Sequence, residues 1–596
     1  MALNNETKSH TMTPTIRRGL VDCLAVFLAA SLVLFVLLRL WSFSPRIPFH
    51  YDGDGFLMLG AFRNMQFHDW YFFSDKVGYP YGQHFQDFPA IADGLCLGFS
   101  WLLVKILRDP VLAFNVFFLL TYPFAAVAGY IGARLLKLRR LTAVAIGVLY
   151  AFTPYHAMHG APHLFLSMYP IVPIAIGMVF REIRTPISQT FVWNKKATLR
   201  SATPFILLGL ASAMSGLYYA FFTLILFAIG IILVLIDGES VRKTWRFFVG
   251  IFSSFIGLGI QFIPILLFQQ RNGSNLSVVK RGVFEVEYYS LRIIDLFLPI
   301  PQHQIGAFAS FSFKNRSAFV PGEQNAYLGV LGAIGVIVLL AGLLSIKRRW
   351  FESTGITVLS RVFIIFVLAS VLGGFNQILA SVGFTQIRVW ARSAIFLAFM
   401  ALAAFGFVLE WLANRFKLRH VLSVVFLTLI VGVGIWDTNG MIPKHAYKLN
   451  SMMWNNDKQL VKGVESTFGN GARVLQLPTL KFPEQGGVEK LTDYAQMRGQ
   501  LHSSSLCWSY GVIIGRDQGR TLRWQALGLK DQIEQARLQG FDAVWVELRA
   551  YPELGINQSK ELTDILGPPL LTDKLKLVQV FDMRDDKQMK RETCHG

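Results

Sequence analysis

Two aspartates one residue apart, Asp52 and Asp54, stand in the stretch FHYDGDGFLMLGAFRNM, residues 49–65. A long apolar run precedes them and a shorter helical pattern follows. Three chemistries suit the pair. Asp54, at the head of GFLMLGAFRNM, fits a helix start, where its oxygen caps backbone N–H groups and its charge meets the positive helix end. Carboxylates in a D-x-D spacing also suit a hard divalent cation, Mg or Mn, with Asp52 and Asp54 as ligands. A carboxylate there can equally take the proton of an attacking hydroxyl. The spacing by itself favours capping.

Other segments carry reactive residue types. FTPYHAMHGAPHLFL places His156, His159 and His163 three and four residues apart. On one helix they would share a face, and three imidazoles can hold a transition metal. Pro154 and Pro162 interrupt that helix, which favours contacts to hydroxyls or phosphate, with His163 the first to test. TQIRVWARS sets Arg388 and Arg392 four apart, on one helical face. Guanidinium groups there suit bidentate phosphate binding, or anchor the interface with Trp390. The segment QQRNGSNLSVVKRGVFEVEYYSLRIIDLFLP offers Arg281, Glu285, Glu287 and Tyr288 as pocket-lining groups. FHDWYFFSDKVGYPYGQHFQDFP adds Asp69, His84 and Asp87. Its aromatics Tyr71, Phe72, Tyr79 and Tyr81 read by default as an interfacial belt.

The elements that position these residues are apolar helices. The chain has 596 residues, 53% hydrophobic and 16% charged, with 51 Phe. Its mean hydropathy is +0.44. Repeated runs of about 20 apolar residues, broken by basic clusters, mean a polytopic membrane protein. The net charge of +20 does not mark a nucleic-acid binder, because Lys and Arg sit at the ends of apolar runs and set topology. The four cysteines show no metal spacing. Arg17 and Arg18 before the first run place the N-terminus, residues 1–18, inside as part of a retained anchor. Expected spans lie near 19–42, 111–133, 141–156, 164–181, 201–215, 218–236, 247–268, 326–346, 356–375, 393–413 and 420–437. That is eleven, N-in and C-out, within a transmembrane domain of residues 19–437. Residues 92–109 read as an interfacial helix, since counting them as a span would put RLLKLRR outside. SAMSGLYYAFF can be a broken or re-entrant segment. Residues 43–109 and 269–325 are the long outer loops. From 438 to 596 the pattern changes to short strands and amphipathic helices, an extracytoplasmic α/β domain. It holds Cys507 and Cys594, which can pair in an oxidising compartment or stay as thiols.

One anchor, a long acidic outer loop, many spans and an outer soluble domain together resemble the membrane glycosyltransferases of the GT-C superfold. GDGFLMLGAFR is similar to the first-loop motif of bacterial oligosaccharyltransferases, in which an acidic residue before Gly and an aromatic opens a helix. By that match Asp54 corresponds to the functional aspartate. The second outer loop departs from that family in carrying histidines and no carboxylate, and WSYG at 508–511 lacks the family's acceptor-binding aspartate. The resemblance therefore points away from protein N-glycosylation. It implies an inverting transferase of the bacterial cytoplasmic (inner) membrane, moving a sugar from a polyprenyl-phosphate or polyprenyl-pyrophosphate donor to an envelope glycan or glycolipid. The absence of a Rossmann fingerprint or P-loop agrees with a donor activated by lipid. In this expectation Asp54, with Asp52, serves the acceptor. His163, His159, Arg388, Arg392, Arg281 and Glu285 bind the substrates. Two rivals remain: a flippase of lipid-linked sugars, and an envelope assembly factor without catalysis. Charged mid-membrane residues and internal repeats, which mark transporters, are not evident.

Overall fold

The computed structural model describes residues 14–68, 70–88, 92–190, 195–278, 281–319, 322–323, 326–344, 349–438, 446–584 and 594. A helix stands at each of the eleven expected spans. Among the described residues, seven apolar stretches are long enough to cross a membrane: Arg17–Leu37, Pro110–Leu135, Arg140–His159, Leu217–Ile236, Val241–Asn272, Trp390–Arg415 and His420–Thr438. The helices Ile171–Arg184, Gly329–Leu344 and Ile356–Ser370 are shorter, and Lys195–Ala213 opens on two lysines. The expected span at 164–181 needs correction. Residues Leu164–Ser167 form a 3-10 turn, and the helix begins at Ile171, after Pro170, which cannot donate a backbone hydrogen bond. The SAMSGLYYAFF segment is a break between two helices, at Gly216, whose φ is 119°. Gly94–Leu107 has 14 residues, about 21 Å of helix, too short to span unaided.

Ala394–Arg415 is the hub of the bundle. All but a few of its first sixteen side chains are buried, against Gly329–Leu344, Arg140–Ala151 and Ile356–Ser370. Close approach is made possible by small residues. A Cβ on Gly335 would lie 1.9 Å from the Ala401 carbonyl oxygen.

Beyond the spans, the helix Ala446–Phe468 leads into a mixed sheet. Two short strands in the first outer loop, β1 (Phe73–Ser74) and β2 (Gln83–His84), pair antiparallel. The outer unit then has β3 (Arg473–Leu477), β4 (Cys507–Trp508), β5 (Ala543–Glu547), β6 (Leu571–Thr572) and β7 (Val578–Asp582), in the order β4-β3-β5-β7-β6. The β3 strand is parallel to β4 and β5, and β7 is antiparallel to β5 and β6. Cys507 and Cys594 form a disulfide, closing a loop of 87 residues.

The first outer loop is built into this sheet. Val77 runs parallel to Trp508, Trp508 N donates to the Lys76 carbonyl, and Tyr79 N donates to the Trp508 carbonyl, both at 2.9 Å. The loop therefore covers the β4 edge, which would otherwise present unpaired backbone groups. Two buried polar chains reinforce the join. Gln500 Nε2 donates to Asn64 Oδ1, Asn64 Nδ2 to Gln83 Oε1, and Gln83 Nε2 to the Gly511 carbonyl, at 2.7, 3.2 and 3.0 Å. Arg498, 1% exposed, donates to Asp457 at 2.9 Å and to Glu547. Tyr51 of the first loop donates its hydroxyl to Asp457 Oδ2 at 2.8 Å.

Removing one partner of a buried ion cluster leaves an uncompensated charge. Arg498→Met is expected to cost on the order of 3–5 kcal/mol of stability, read as a fall in the thermal midpoint of the protein in nanodiscs. An unchanged midpoint would show that the cluster is dispensable.

Candidate active site

The helix Asp54–Phe67 starts at a Gly53 whose φ is +44°. The capping expectation is not met: no side chain hydrogen-bonds the helix's free N–H groups. Asp52 Oδ1 instead accepts from Gly53 N at 2.9 Å and from the Thr492 hydroxyl. Asp54, the first helical residue, turns its carboxylate to His163, with Nδ1 to Oδ2 at 3.1 Å. The two aspartates thus serve different neighbours. Among the described residues no group of three or more His, Cys, Asp or Glu side chains is placed to hold a metal ion.

A run of contacts leads away from Asp54. The His163 and His159 rings lie 5.6 Å apart, edge to face. His159 Nε2 is 3.6 Å from Glu323 Oε2. Glu323 accepts from Arg392 Nη2 at 2.6 Å and from its Nε at 3.1 Å. The Arg392 guanidinium lies over the Tyr218 ring at 4.4 Å. Six residues from five separate segments meet here. A second cluster stands beside them. Arg388 donates to Glu285 at 3.0 Å and lies 3.7 Å from Glu484, which also pairs with Arg281 at 2.8 Å. Glu484 and Asp493 both act electrostatically on Asp54, as does Arg392. The first loop, the second outer loop, the long loop, the start of the hub helix and the outer domain therefore face one site.

Burial sets His163 apart, since its side chain is 40% exposed while His159 is as buried as His156. His156 is fully buried, bonded to Thr121 Oγ1 at 2.9 Å and Tyr169 at 2.7 Å. The shared three-histidine face does not form, because the helix Pro154–His159 ends at Gly160, with φ of 44°. Asp87 is bound to Arg516 at 2.8 Å and His84 packs near Phe268. Tyr79 packs on Phe541, and Tyr81 sits under Arg520, so these rings join the loop to the outer domain. Trp508 of WSYG is core, 1% exposed. Glu287 is exposed, and Asp69 lies outside the described residues. Sequence reading missed Glu323, Glu484, Asp493 and Thr492. All four lie in irregular loops whose pattern gives no signal.

Electrostatics gives Asp54 an unusual character. Burial pushes its carboxyl up to about 6, helped by the negative charges of Asp493 and Glu484 and opposed by Arg392. Burial, with the neighbouring His159 and Arg392, pushes His163 down to about 3. The imidazole is thus neutral at pH 7, and its Nδ1–H donates to an ionised Asp54. Burial would also raise Glu323, yet Arg392 and His159 hold it well below the usual carboxylate range.

No protein-family profile and no curated protein matches the chain. Similar solved structures include the mycobacterial arabinofuranosyltransferase AftD, at TM-score 0.49 and 13% identity. That match covers 94% of this chain and 40% of the other, so the chain spans well under half of its length. ArnT from Cupriavidus metallidurans, bound to undecaprenyl phosphate, is similar at TM-score 0.43 and 11% identity, covering 97% of this chain and 99% of that one. The Archaeoglobus fulgidus oligosaccharyltransferase is similar at TM-score 0.42 and 12% identity, covering 88% and 68%.

An acid whose folded pKa is raised keeps its proton longer in the native state, so stability falls as pH rises from about 4 through about 6. Asp54→Asn lacks this loss. The thermal midpoint of the variant relative to wild type is expected to rise between pH 4.5 and 7.5. A difference independent of pH would show that Asp54 is not desolvated.

Proposed function

We propose that the chain is a membrane glycosyltransferase working on the extracytoplasmic face. Its donor is a sugar on a polyprenyl phosphate or pyrophosphate, and its acceptor an envelope glycan or glycolipid. The observation that carries this reading is the Asp54–His163 contact, set among paired arginines where bundle and outer domain meet. A carboxylate raised to about 6 is still ionised at pH 7 yet more basic than a solvated one, which suits a general base. His163 fixes its orientation through a neutral hydrogen bond and leaves its charge intact.

In the proposed step the acceptor hydroxyl loses its proton to Asp54 as its oxygen attacks the anomeric carbon. The bond from that carbon to the phosphate oxygen breaks, and the electron pair leaves with the lipid phosphate. One displacement inverts the anomeric centre. Arg388, 27% exposed against 14% for Arg392, is the better placed to meet the phosphate. Arg392, held by Glu323, keeps positive charge near the site without leaving it.

The test uses protein in liposomes with radiolabelled polyprenyl-phosphate sugars and glycolipid acceptors. Wild type is expected to transfer label, with a rate that falls as pH drops through about 6. Asp54→Asn is expected to lose about 100-fold or more, and Arg388→Gln to raise the donor KM. Equal transfer by Asp54→Asn would remove Asp54 from the chemistry. Label crossing the bilayer without transfer would point to a flippase.

A further inference from the structure

The opposite end of the bundle holds a feature that the proposed chemistry does not use. A cavity of about 520 Å³ opens there, bounded among others by Arg134, Arg139, Arg140, Glu410, His420 and Phe426. It lies between the turn that joins Pro110–Leu135 to Arg140–Ala151 and the ends of Ala394–Arg415 and His420–Thr438. The basic residues at those turns assign this end to the cytoplasm.

Its charges are unevenly matched. Arg140 is paired with Asp22 of the first helix, Nε to Oδ2 at 2.8 Å. Glu410 accepts the backbone N–H of Arg139. The Arg134 guanidinium donates to the Leu138 carbonyl, and that of Arg139 to Asn414 Oδ1 at 2.8 Å. Both of these guanidiniums are therefore turned to neutral acceptors, and neither forms an ion pair among the described residues. Both side chains are exposed. Away from the mouth the lining becomes apolar. Phe426 and Leu427 line it six and seven residues along the helix from His420, about 10 Å deeper. That helix is mostly exposed, with 22% of its apolar window buried, so its outer side faces lipid.

A basic mouth over an apolar wall, at the level of the headgroups, is matched to a lipid with an anionic head. The volume lies within the range of small-molecule sites. We propose that this cavity binds one anionic phospholipid of the inner leaflet. Its phosphate sits between Arg134 and Arg139, and the start of an acyl chain lies against Phe426 and Leu427. Zwitterionic phospholipids carry a cation that these arginines oppose, so they bind more weakly. The assignment does not depend on the chain being a glycosyltransferase.

Native mass spectrometry of the delipidated full chain, titrated with phosphatidylglycerol or phosphatidylcholine, tests this directly. One phosphatidylglycerol is expected to bind about tenfold or more tightly than phosphatidylcholine. Arg139→Gln should remove the preference. Ser423→Trp, which fills the cavity without changing its charge, should remove the bound lipid. Arg415→Gln, on the same face but outside the cavity, should change neither, and all variants are compared at equal helix content by circular dichroism. No preference in wild type would overturn the proposal. So would a preference that survives both Arg139→Gln and Ser423→Trp. Displacement of the lipid by millimolar glycerol 3-phosphate would overturn it too, by showing a site for a free phosphate and not for a lipid.

Discussion

A buried guanidinium joins the two halves of this protein. Arg498 has almost no contact with solvent, and taking it out of water is costly. Asp457 and Glu547 offset that cost, and both are fully buried themselves. A second cation, Arg549, lies with its Nη2 3.6 Å from Glu547 Oε2, so two carboxylates meet two guanidiniums. The Tyr51 hydroxyl and the Trp545 indole N–H add neutral donors, to Asp457 and Glu547 at 2.8 and 3.0 Å. Tyr51 lies three residues before Asp54. The same cluster that orders the outer sheet therefore fixes the backbone just ahead of Asp54. The outer domain is thus a structural part of the site and not an appendage.

At Asp54 two effects oppose each other. The start of a helix favours an ionised carboxylate and lowers its basicity. Removal from water does the reverse, and here it prevails, aided by Asp493 and Glu484. The outer domain supplies both of those acids, so its docking changes the charge behaviour of a residue in the first loop. His163 could reverse the balance only as a cation, and burial keeps it neutral.

The seven long spans were legible because apolar runs of about 20 residues have few alternatives. The break at Gly216 was legible because Ser and Gly interrupt one such run. Asp54 and His163 were legible as types, but their contact was not, since 109 residues separate them in a sequence without a shared period. The loss of a common histidine face was legible from Pro154 and Pro162, because three- and four-residue spacing implies such a face only while the helix continues, and Gly160 ends it. Glu323, Glu484 and Asp493 were hidden for a different reason. An acid in an irregular loop acquires its role from a distant cation, and local pattern carries no information about that partner. The disulfide was open for the same reason: Cys507 and Cys594 are brought together by the fold, not by spacing.

Topology and chemistry place conflicting demands on arginine in such a chain. Exposed cations orient the spans toward the cytoplasm, yet recognition of a phosphate outside needs cations on the other face. On the outer face Arg281 and Arg388 are matched by Glu484 and Glu285, Arg392 by Glu323, Arg516 by Asp87 and Arg292 by Asp295. At the opposite end Arg140, Arg246 and Arg361 are likewise paired, with Asp22, Glu182 and Asp237, while Arg134 and Arg139 meet neutral acceptors. The outer pairs hold guanidinium groups in fixed positions, where an incoming phosphate can take over a share of their hydrogen bonds. Asp54 stands apart within this field, because its direct partner is a neutral imidazole and not a cation. A carboxylate in an ion pair is stabilised and therefore a poor base. With no contact cation to hold it ionised, Asp54 keeps a raised proton affinity.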